Sequence, residues 1–213
     1  MKIGVLGSGD VARTLAAGCV KHGHDVLVGT RETAKLGEWL RANPRTSAGS
    51  FADAAGFGDV VVLAVKGSVA ARALRLAGTT NLVGKIVIDA CNPIADQPPV
   101  NGVLRFFTSL EDSLMERLQK EFSVAKFVKA FSCVGHPMMV NPQVAGGPPT
   151  MFICGNDVSA KQAVTGLLKQ FGWEAADMGS VEAARAIEPL CMLWCIPALR
   201  DAQRTHAFKL LRG

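Results

Sequence analysis

Short apolar runs are separated along the chain by longer segments in which apolar and polar positions alternate at helical spacing. The runs cover residues 3–6, 25–29, 59–65, 85–89 and 126–131. The run over 59–65 is apolar at every inner position, which is typical of a strand buried on both faces. Strands of this kind that alternate with helices predict an α/β fold built on a parallel sheet.

Helices and turns fill the intervals between these runs. The pattern predicts a helix that ends at His22-Gly23-His24, an edge strand over 46–49, a short helix over 51–56, a helix that ends at Leu76, a surface loop over 95–108 and an amphipathic helix over 109–122. Gly23 is typical of a helix C-cap, because glycine adopts the left-handed conformation without strain. No repeat or low-complexity linker interrupts the order, so the sequence predicts one domain over 1–213.

The first strand runs into a glycine-rich turn that opens a helix. Gly7 permits the tight turn, and Gly9 lets the backbone approach a pyrophosphate that the free N–H groups of the helix start can bind. This is the opening of a dinucleotide-binding βαβ unit, so we predict a Rossmann-type, doubly wound, mostly parallel sheet. The predicted cofactor-binding residues of the turn are Gly7, Ser8, Gly9, Asp10 and Val11. We expect the Asp10 side chain to bond backbone N–H groups at the helix start.

The end of the second strand indicates which dinucleotide is bound. An acidic residue there would accept a hydrogen bond from the ribose of NAD, whereas this chain has Thr30-Arg31. Arg31 can make a two-pronged contact with a 2′-phosphate, Thr30 can donate its hydroxyl, and Lys35 lies about one helical turn further on. We therefore predict NADP(H) as the cofactor, with a solvated basic turn as the alternative.

Two further strand ends supply candidate cofactor contacts, because ligands of open parallel sheets lie beyond the carboxyl ends of the strands. These predicted cofactor-binding residues are Ala64, Val65, Lys66, Cys91, Asn92 and Pro93. Lys66 and residues 91–93 are expected to contact the nicotinamide half. The segment after the last long run, residues 132–139, is rich in small, polarisable and imidazole side chains, so a flat aromatic acceptor can lie there.

Composition excludes several classes of partner. The net charge is only +5, and the 23 lysines and arginines are scattered, so we expect no nucleic-acid partner. The apolar N-terminus breaks at Gly7, too early for a signal peptide, and no run reaches the length of a membrane span. We therefore expect a cytoplasmic protein with no membrane partner.

Cysteine and tyrosine usage narrows the chemistry. The six cysteines form no CxxC pair, and Cys191 and Cys195 lack the neighbouring partners that a metal needs, so we predict buried thiols and no metal site. The chain contains no tyrosine. This excludes the short-chain dehydrogenases, which transfer protons through a tyrosine and a lysine.

Several motifs follow one another along nearly the whole chain. They are the turn at Gly7–Ala12, Gly23-His24, Val28-Gly29-Thr30-Arg31, Val61–Val65, Asp89 with Asn92-Pro93, Val128-Lys129-Ala130-Phe131, Cys154-Gly155-Asn156-Asp157, and Asp177-Met178-Gly179 followed by Ala183, Arg185 and Glu188. In this order they resemble the coenzyme F420-dependent NADP reductase family, whose fold also occurs in the cytoplasmic domains of membrane ferric reductases.

The resemblance implies an NADP-binding Rossmann domain with a small C-terminal α/β extension over 150–213. The extension would contain a strand near 151–154, a helix over 159–171 and a helix from 181, and would contribute to the acceptor pocket and a dimer contact. In the family, hydride passes directly between the nicotinamide and a stacked deazaflavin without an obligatory acid or base. No catalytic residue is therefore assigned, although His136 could donate a proton to a reduced flavin.

We accordingly predict an NADPH-dependent oxidoreductase whose small-molecule acceptor is a flavin or a deazaflavin. Two alternatives stay open at this point. One is a sensor that binds NADP(H) without turnover. The other is a reductase of small imines, like pyrroline-carboxylate reductase, although such enzymes usually add a longer all-helical domain.

The C-terminal segment over 189–199 is apolar around most of a helix. Such a helix is buried in its own domain or covered by another molecule. We predict a homodimer contact through this helix, with Trp194 near its centre or bordering the acceptor pocket; a simple core helix is the alternative.

Overall fold

In the computed structural model, which describes residues 1–213, a six-stranded parallel sheet forms the centre of the molecule. Its strands are β1 (Lys2–Leu6), β2 (Asp25–Gly29), β3 (Thr46–Gly49), β4 (Val60–Leu63), β5 (Ile86–Asp89) and β6 (Lys126–Lys129). They lie in the order β3-β2-β1-β4-β5-β6, and every neighbouring pair is parallel. This confirms the predicted Rossmann-type α/β fold.

Eight α-helices connect and cover the strands. They are α1 (Asp10–Lys21), α2 (Gly37–Ala42), α3 (Phe51–Phe57), α4 (Ala70–Ala77), α5 (Leu114–Glu121), α6 (Val158–Gln170), α7 (Ala184–Ile187) and α8 (Leu190–Arg200). Two buried clusters of apolar side chains, one on each face of the sheet, form the core. The strand order reverses between β1 and β4, and this reversal opens a crevice at the carboxyl ends of the strands.

The C-terminal part adds a second, two-stranded parallel sheet made of β7 (Thr150–Ile153) and β8 (Glu174–Asp177). It adjoins the main sheet through an antiparallel bridge between Lys129 and Cys154. The sequence pattern gave no sign of β8, because Glu174-Ala175-Ala176-Asp177 contains no β-branched or aromatic residue. Its strand conformation comes from pairing with β7.

Two predicted helices have different bounds in the structure. The helix expected over 109–122 begins only at Leu114, because Ser113 is its N-cap and accepts a hydrogen bond from the Glu116 amide. The helix expected from residue 181 consists of a short 3-10 turn, Val181–Ala183, followed by α7 and α8. Pro189 is the N-cap residue of α8 and separates it from α7.

The end of α1 follows the prediction. Gly23 adopts a φ of +84°, and the His24 amide donates to the Cys19 carbonyl, as expected for a glycine-terminated helix. None of the helices combines the length and the apolar character that crossing a bilayer requires.

Candidate functional site

A cavity of about 630 Å³ lies at the carboxyl ends of β1, β2, β4 and β5. Such a volume is typical of small-molecule sites. Thirteen of the fourteen predicted cofactor-binding residues line it, namely Gly7, Ser8, Gly9, Asp10, Val11, Thr30, Arg31, Lys35, Ala64, Val65, Lys66, Cys91 and Asn92. Pro93 does not line the cavity, because it is buried and its carbonyl accepts a hydrogen bond from the Phe107 amide.

The two glycines of the first turn have different surroundings. Gly7 has a φ of +131°, and a Cβ placed there would lie 2.2 Å from the Ala64 carbonyl oxygen, so the fold itself requires glycine. A Cβ on Gly9 would meet nothing within 4 Å. Gly9 is the N-cap of α1 and faces the open cavity, and the first N–H groups of α1 have no partner within the helix. These free N–H groups can bind an anionic group such as a pyrophosphate.

The expected bond from Asp10 to the backbone is absent. Asp10 is the first residue of α1, its side chain is exposed, and no side chain caps this end of the helix. The capping position is taken by Gly9, which has no side chain, so the amides at the start of α1 stay available to a ligand.

Replacement of Gly9 by valine tests whether the amides at the start of α1 bind the pyrophosphate. We expect the variant to fold as the wild type does, because a Cβ at this position meets nothing within 4 Å and the φ of −78° suits any residue. Affinity for NADPH should fall by about tenfold or more, equivalent to ~1.4 kcal/mol, since the valine occupies the path of the pyrophosphate. Thermal unfolding and NADPH titration measure the two effects; a stable variant with unchanged affinity would contradict the assignment.

The residues predicted to select the cofactor follow the carboxyl end of β2. The Thr30 hydroxyl is nearly buried, donates to Ser8 Oγ at 3.1 Å and accepts from the Glu32 amide at 3.3 Å. It therefore joins the glycine turn to the turn after β2, whereas the sequence suggested a direct contact with phosphate. Arg31 is exposed on the cavity wall, and its guanidinium makes no hydrogen bond or ion pair within the chain.

Four cationic side chains line the cavity, but two of them are neutralised. Lys35 pairs with Glu32 at 2.9 Å, and Lys66 pairs with Asp96. The other two cations are Arg31 and Arg72, which have no acidic partner. These two guanidinium groups are suited to an anionic ligand, because their charge and their planar N–H donors are both available to it.

The sequence analysis missed one wall of the cavity. Phe51, Val69, Ala73 and Leu76 form an apolar wall, and the last three have the spacing of one helix face. Val69 and Leu76 are 43% and 48% exposed, which is high for large apolar side chains. An aromatic ring of a ligand would cover them. Their spacing was visible in the sequence, but it is shared by any helix that packs on a core.

A fully buried ion network lies below the opposite end of the cavity. Lys129 Nζ donates to Asp89 Oδ2 at 2.7 Å, to Glu188 Oε1 at 2.8 Å and to the Cys91 carbonyl oxygen at 2.9 Å. Asp89 also accepts from the Cys91 amide at 2.9 Å. The Glu188 carboxylate accepts from the first two amides of α5, each at 3.0 Å. Both backbone groups of Cys91 are thus held by the network.

The charges of this network decide two protonation states. Burial alone would lower the pKa of Lys129, but the Asp89 and Glu188 carboxylates outweigh it and raise that pKa above its usual range. Burial raises the pKa of the Cys91 thiol well above its ordinary value, and the Asp89 charge raises it further. Lys129 is therefore an ammonium and Cys91 a neutral thiol at neutral pH, so Cys91 is not a nucleophile.

Neighbouring contacts fix the rest of this cavity end. Asn92 Nδ2 donates to the Ser132 carbonyl at 2.8 Å, so the segment after β5 is tied to the segment after β6. A Cβ on Gly67 would lie 2.0 Å from the Asn92 carbonyl oxygen, so the segment after β4 is in direct contact as well. Three strand ends therefore form one rigid floor.

His136 lines the cavity from the segment after β6 and is exposed. Behind it, a Cβ on Gly135 would lie 2.3 Å from Trp194, so α8 supports this segment closely. Trp194 stacks on His206 with a centroid separation of 4.8 Å and donates to the His206 carbonyl at 2.8 Å. Trp194 is buried behind the cavity wall, and α8 exposes Leu193 and Leu199 on its other side. The homodimer contact through α8 stays a prediction.

Comparison with known proteins identifies the family. The sequence model described as "NADP oxidoreductase coenzyme F420-dependent" matches residues 2–93, from β1 to the end of the Cys91-Asn92-Pro93 segment. The crystal structure of an Arthrobacter sp. FB24 protein, provisionally named an F420-dependent NADP reductase, is 35% identical with a TM-score of 0.93 and covers 100% of both chains. The chain belongs to the coenzyme F420-dependent NADP oxidoreductase family.

Other similar proteins are longer than this chain. Metalloreductase STEAP3 of Rattus norvegicus is 31% identical over 93% of this chain, and metalloreductase STEAP2 of Homo sapiens is 28% identical over 88%. The chain spans only 38% and 35% of these relatives. A Streptomyces aurantiacus imine reductase, 14% identical with a TM-score of 0.71, shares the fold over 94% of this chain and 64% of its own. The family whose model matches residues 2–93 is one of NADP oxidoreductases.

Proposed function

We propose that the protein transfers hydride between NADP(H) and a flavin- or deazaflavin-like acceptor. The observation that carries the proposal is a single cavity that joins the unpaired Arg31, the open backbone at Gly9, the segment at Asn92 and the exposed His136. These features correspond in order to a 2′-phosphate, a pyrophosphate, a nicotinamide and an acceptor. A dinucleotide and a second ring therefore find matching chemistry along the cavity.

The residues of the chain contribute chiefly by positioning. Bound NADPH supplies the hydride. The amides at the start of α1 bind the pyrophosphate, Arg31 binds the 2′-phosphate, and the apolar wall around Val69 and Leu76 holds the adenine. The network around Lys129 fixes the Cys91-Asn92 segment against which the nicotinamide rests. Holding two rings at reaction distance supplies much of the rate enhancement, because it removes the entropic cost of their encounter.

His136 is the one exposed titratable side chain that the segment after β6 contributes to the cavity. A flavin or deazaflavin that accepts hydride also takes up a proton, and an imidazole at the cavity wall can donate it at a ring nitrogen. The hydride step itself requires no such group. Trp194 packs directly behind Gly135, so α8 supports the segment that carries His136.

Parallel assays with several acceptors test the proposal. The purified protein is mixed with NADPH and, in separate reactions, with coenzyme F420, FMN, FAD or a quinone, and the loss of NADPH absorbance is recorded. We expect turnover with a flavin or with F420, and tighter binding of NADPH than of NADH. Tight NADPH binding without turnover would favour a sensor, and turnover of a cyclic imine alone would favour an imine reductase.

A further inference from the structure

An acidic residue lines the cavity immediately after Arg31. The Glu32 carboxylate lies 2.9 Å from Lys35 Nζ, and the two side chains are 57% and 67% exposed. Both residues line the cavity. Lys35 was expected to bind the 2′-phosphate, but its ammonium group already has an anionic partner on the same wall.

The backbone that carries this ion pair is anchored on two sides. The Glu32 amide donates to Thr30 Oγ1 at 3.3 Å, and the Arg13 guanidinium donates to the Lys35 carbonyl oxygen at 3.3 Å. The Lys35 amide also donates to the Glu32 carbonyl oxygen at 3.2 Å, which closes the turn. The backbone therefore holds Glu32 and Lys35 next to each other beside the glycine turn.

A carboxylate at this place acts differently on the two dinucleotides. The 2′-phosphate of NADPH carries negative charge, so Glu32 repels it and competes with it for Lys35. The 2′-hydroxyl of NADH is a donor, and a carboxylate accepts hydrogen bonds. The Glu32 carboxylate also holds Lys35 in place, but ordering one exposed lysine contributes little to the free energy of phosphate binding. The competition between carboxylate and phosphate for Lys35 outweighs this benefit.

We propose that Glu32 is a specificity-determining residue that limits the preference for NADPH over NADH by withholding Lys35 from the 2′-phosphate. This inference rests on the proposed binding of NADP(H) in the cavity. Arg31 is then the principal phosphate ligand on this wall, and Lys35 becomes a full second ligand only when Glu32 is neutral.

The test is the exchange of Glu32 for glutamine, with affinities for NADPH and NADH measured by fluorescence titration. We expect Glu32→Gln to bind NADPH about three- to fivefold more tightly, the size of one exposed ion pair, and to bind NADH no more tightly than the wild type. The matched control is Glu38→Gln in α2, which removes the same charge outside the cavity. It should change neither affinity.

A second variant, Lys35→Met, separates competition for Lys35 from a general effect of the Glu32 charge. In a Lys35→Met protein, the additional exchange of Glu32 should produce a markedly smaller gain for NADPH, because the contested cation is absent. Unchanged or weaker NADPH binding by Glu32→Gln would overturn the inference, as would an equal gain in Glu38→Gln. Those results leave turnover by the wild type intact. A wild type that binds neither dinucleotide would overturn the proposed function together with the inference.

Discussion

Replacement of Arg31 by alanine is expected to weaken NADPH binding about 100-fold and to change NADH binding by less than about twofold. Arg31 lines the cavity with no partner inside the protein, so its donors are free to meet the 2′-phosphate in a two-pronged contact. Hydrogen bonds to charged groups contribute roughly 1.5–3 kcal/mol each. NADH lacks the phosphate and therefore loses little.

Titration calorimetry with both dinucleotides measures this effect. Arg41→Ala serves as the control, because it removes an exposed arginine from α2 outside the cavity. Arg31→Lys should give an intermediate loss, since an ammonium keeps the charge but not the planar fork. Equal losses of NADPH and NADH affinity in Arg31→Ala would rule out the 2′-phosphate contact.

Replacement of Lys129 by methionine is expected to lower the free energy of unfolding by about 3–5 kcal/mol. Lys129 is completely buried and pairs with the carboxylates of Asp89 and Glu188, which are equally inaccessible. The substitution leaves two buried negative charges without their cation. It also removes the donor to the Cys91 carbonyl, so the part of the variant that is folded should bind NADPH more weakly.

Urea denaturation followed by tryptophan fluorescence checks this expectation. Lys126→Met, on the same strand, is the control, because Lys126 pairs with Asp157 at the surface with 40% of its side chain exposed. It should cost at most about 1 kcal/mol. A loss from Lys129→Met as small as this would show that the buried network contributes no more than an exposed pair.

The pH dependence of this loss has a definite sign. Because the pKa of Lys129 is raised in the folded protein, its contribution is complete below the ordinary lysine value of about 10.4 and disappears only as the pH rises through the folded value. Lys129 itself therefore contributes equally at pH values of about 6 and about 8, whereas protonation relieves the two carboxylates that Lys129→Met leaves without a cation, so the loss measured by urea denaturation should be larger at the higher pH.

The network also connects distant parts of the chain. Asp89 ends β5, Lys129 ends β6, and Glu188 follows α7 in the C-terminal part, where it also holds the start of α5. The C-terminal extension thus stabilises the floor of the cavity through one carboxylate. The resemblance placed these three residues in family motifs, but no spacing in the sequence indicates that they meet.

The positions of the six main strands along the chain and the glycine turn could be predicted from the sequence, because both depend on local properties. A run of apolar residues that is short and fully buried favours a parallel strand, and Gly7 and Gly9 mark the place where the backbone must turn and open. The candidate cofactor-binding residues followed from the same rule, since they lie on the segments that follow β1, β2, β4 and β5. Pro93 alone of them does not line the cavity, and its carbonyl accepts a hydrogen bond from the Phe107 amide.

What the sequence alone determined is therefore the Rossmann-type sheet, the cavity at its carboxyl ends and the position of Arg31 after the second strand. Only the tertiary structure decided the partners of the other side chains: Thr30 with Ser8, Glu32 with Lys35, and Lys129 with Asp89 and Glu188. The physical reason is that strand and turn formation depend on neighbours along the chain. Hydrogen bonds and ion pairs depend on distances in space, which folding sets between residues far apart in the sequence, such as Lys129 and Glu188 at 59 positions.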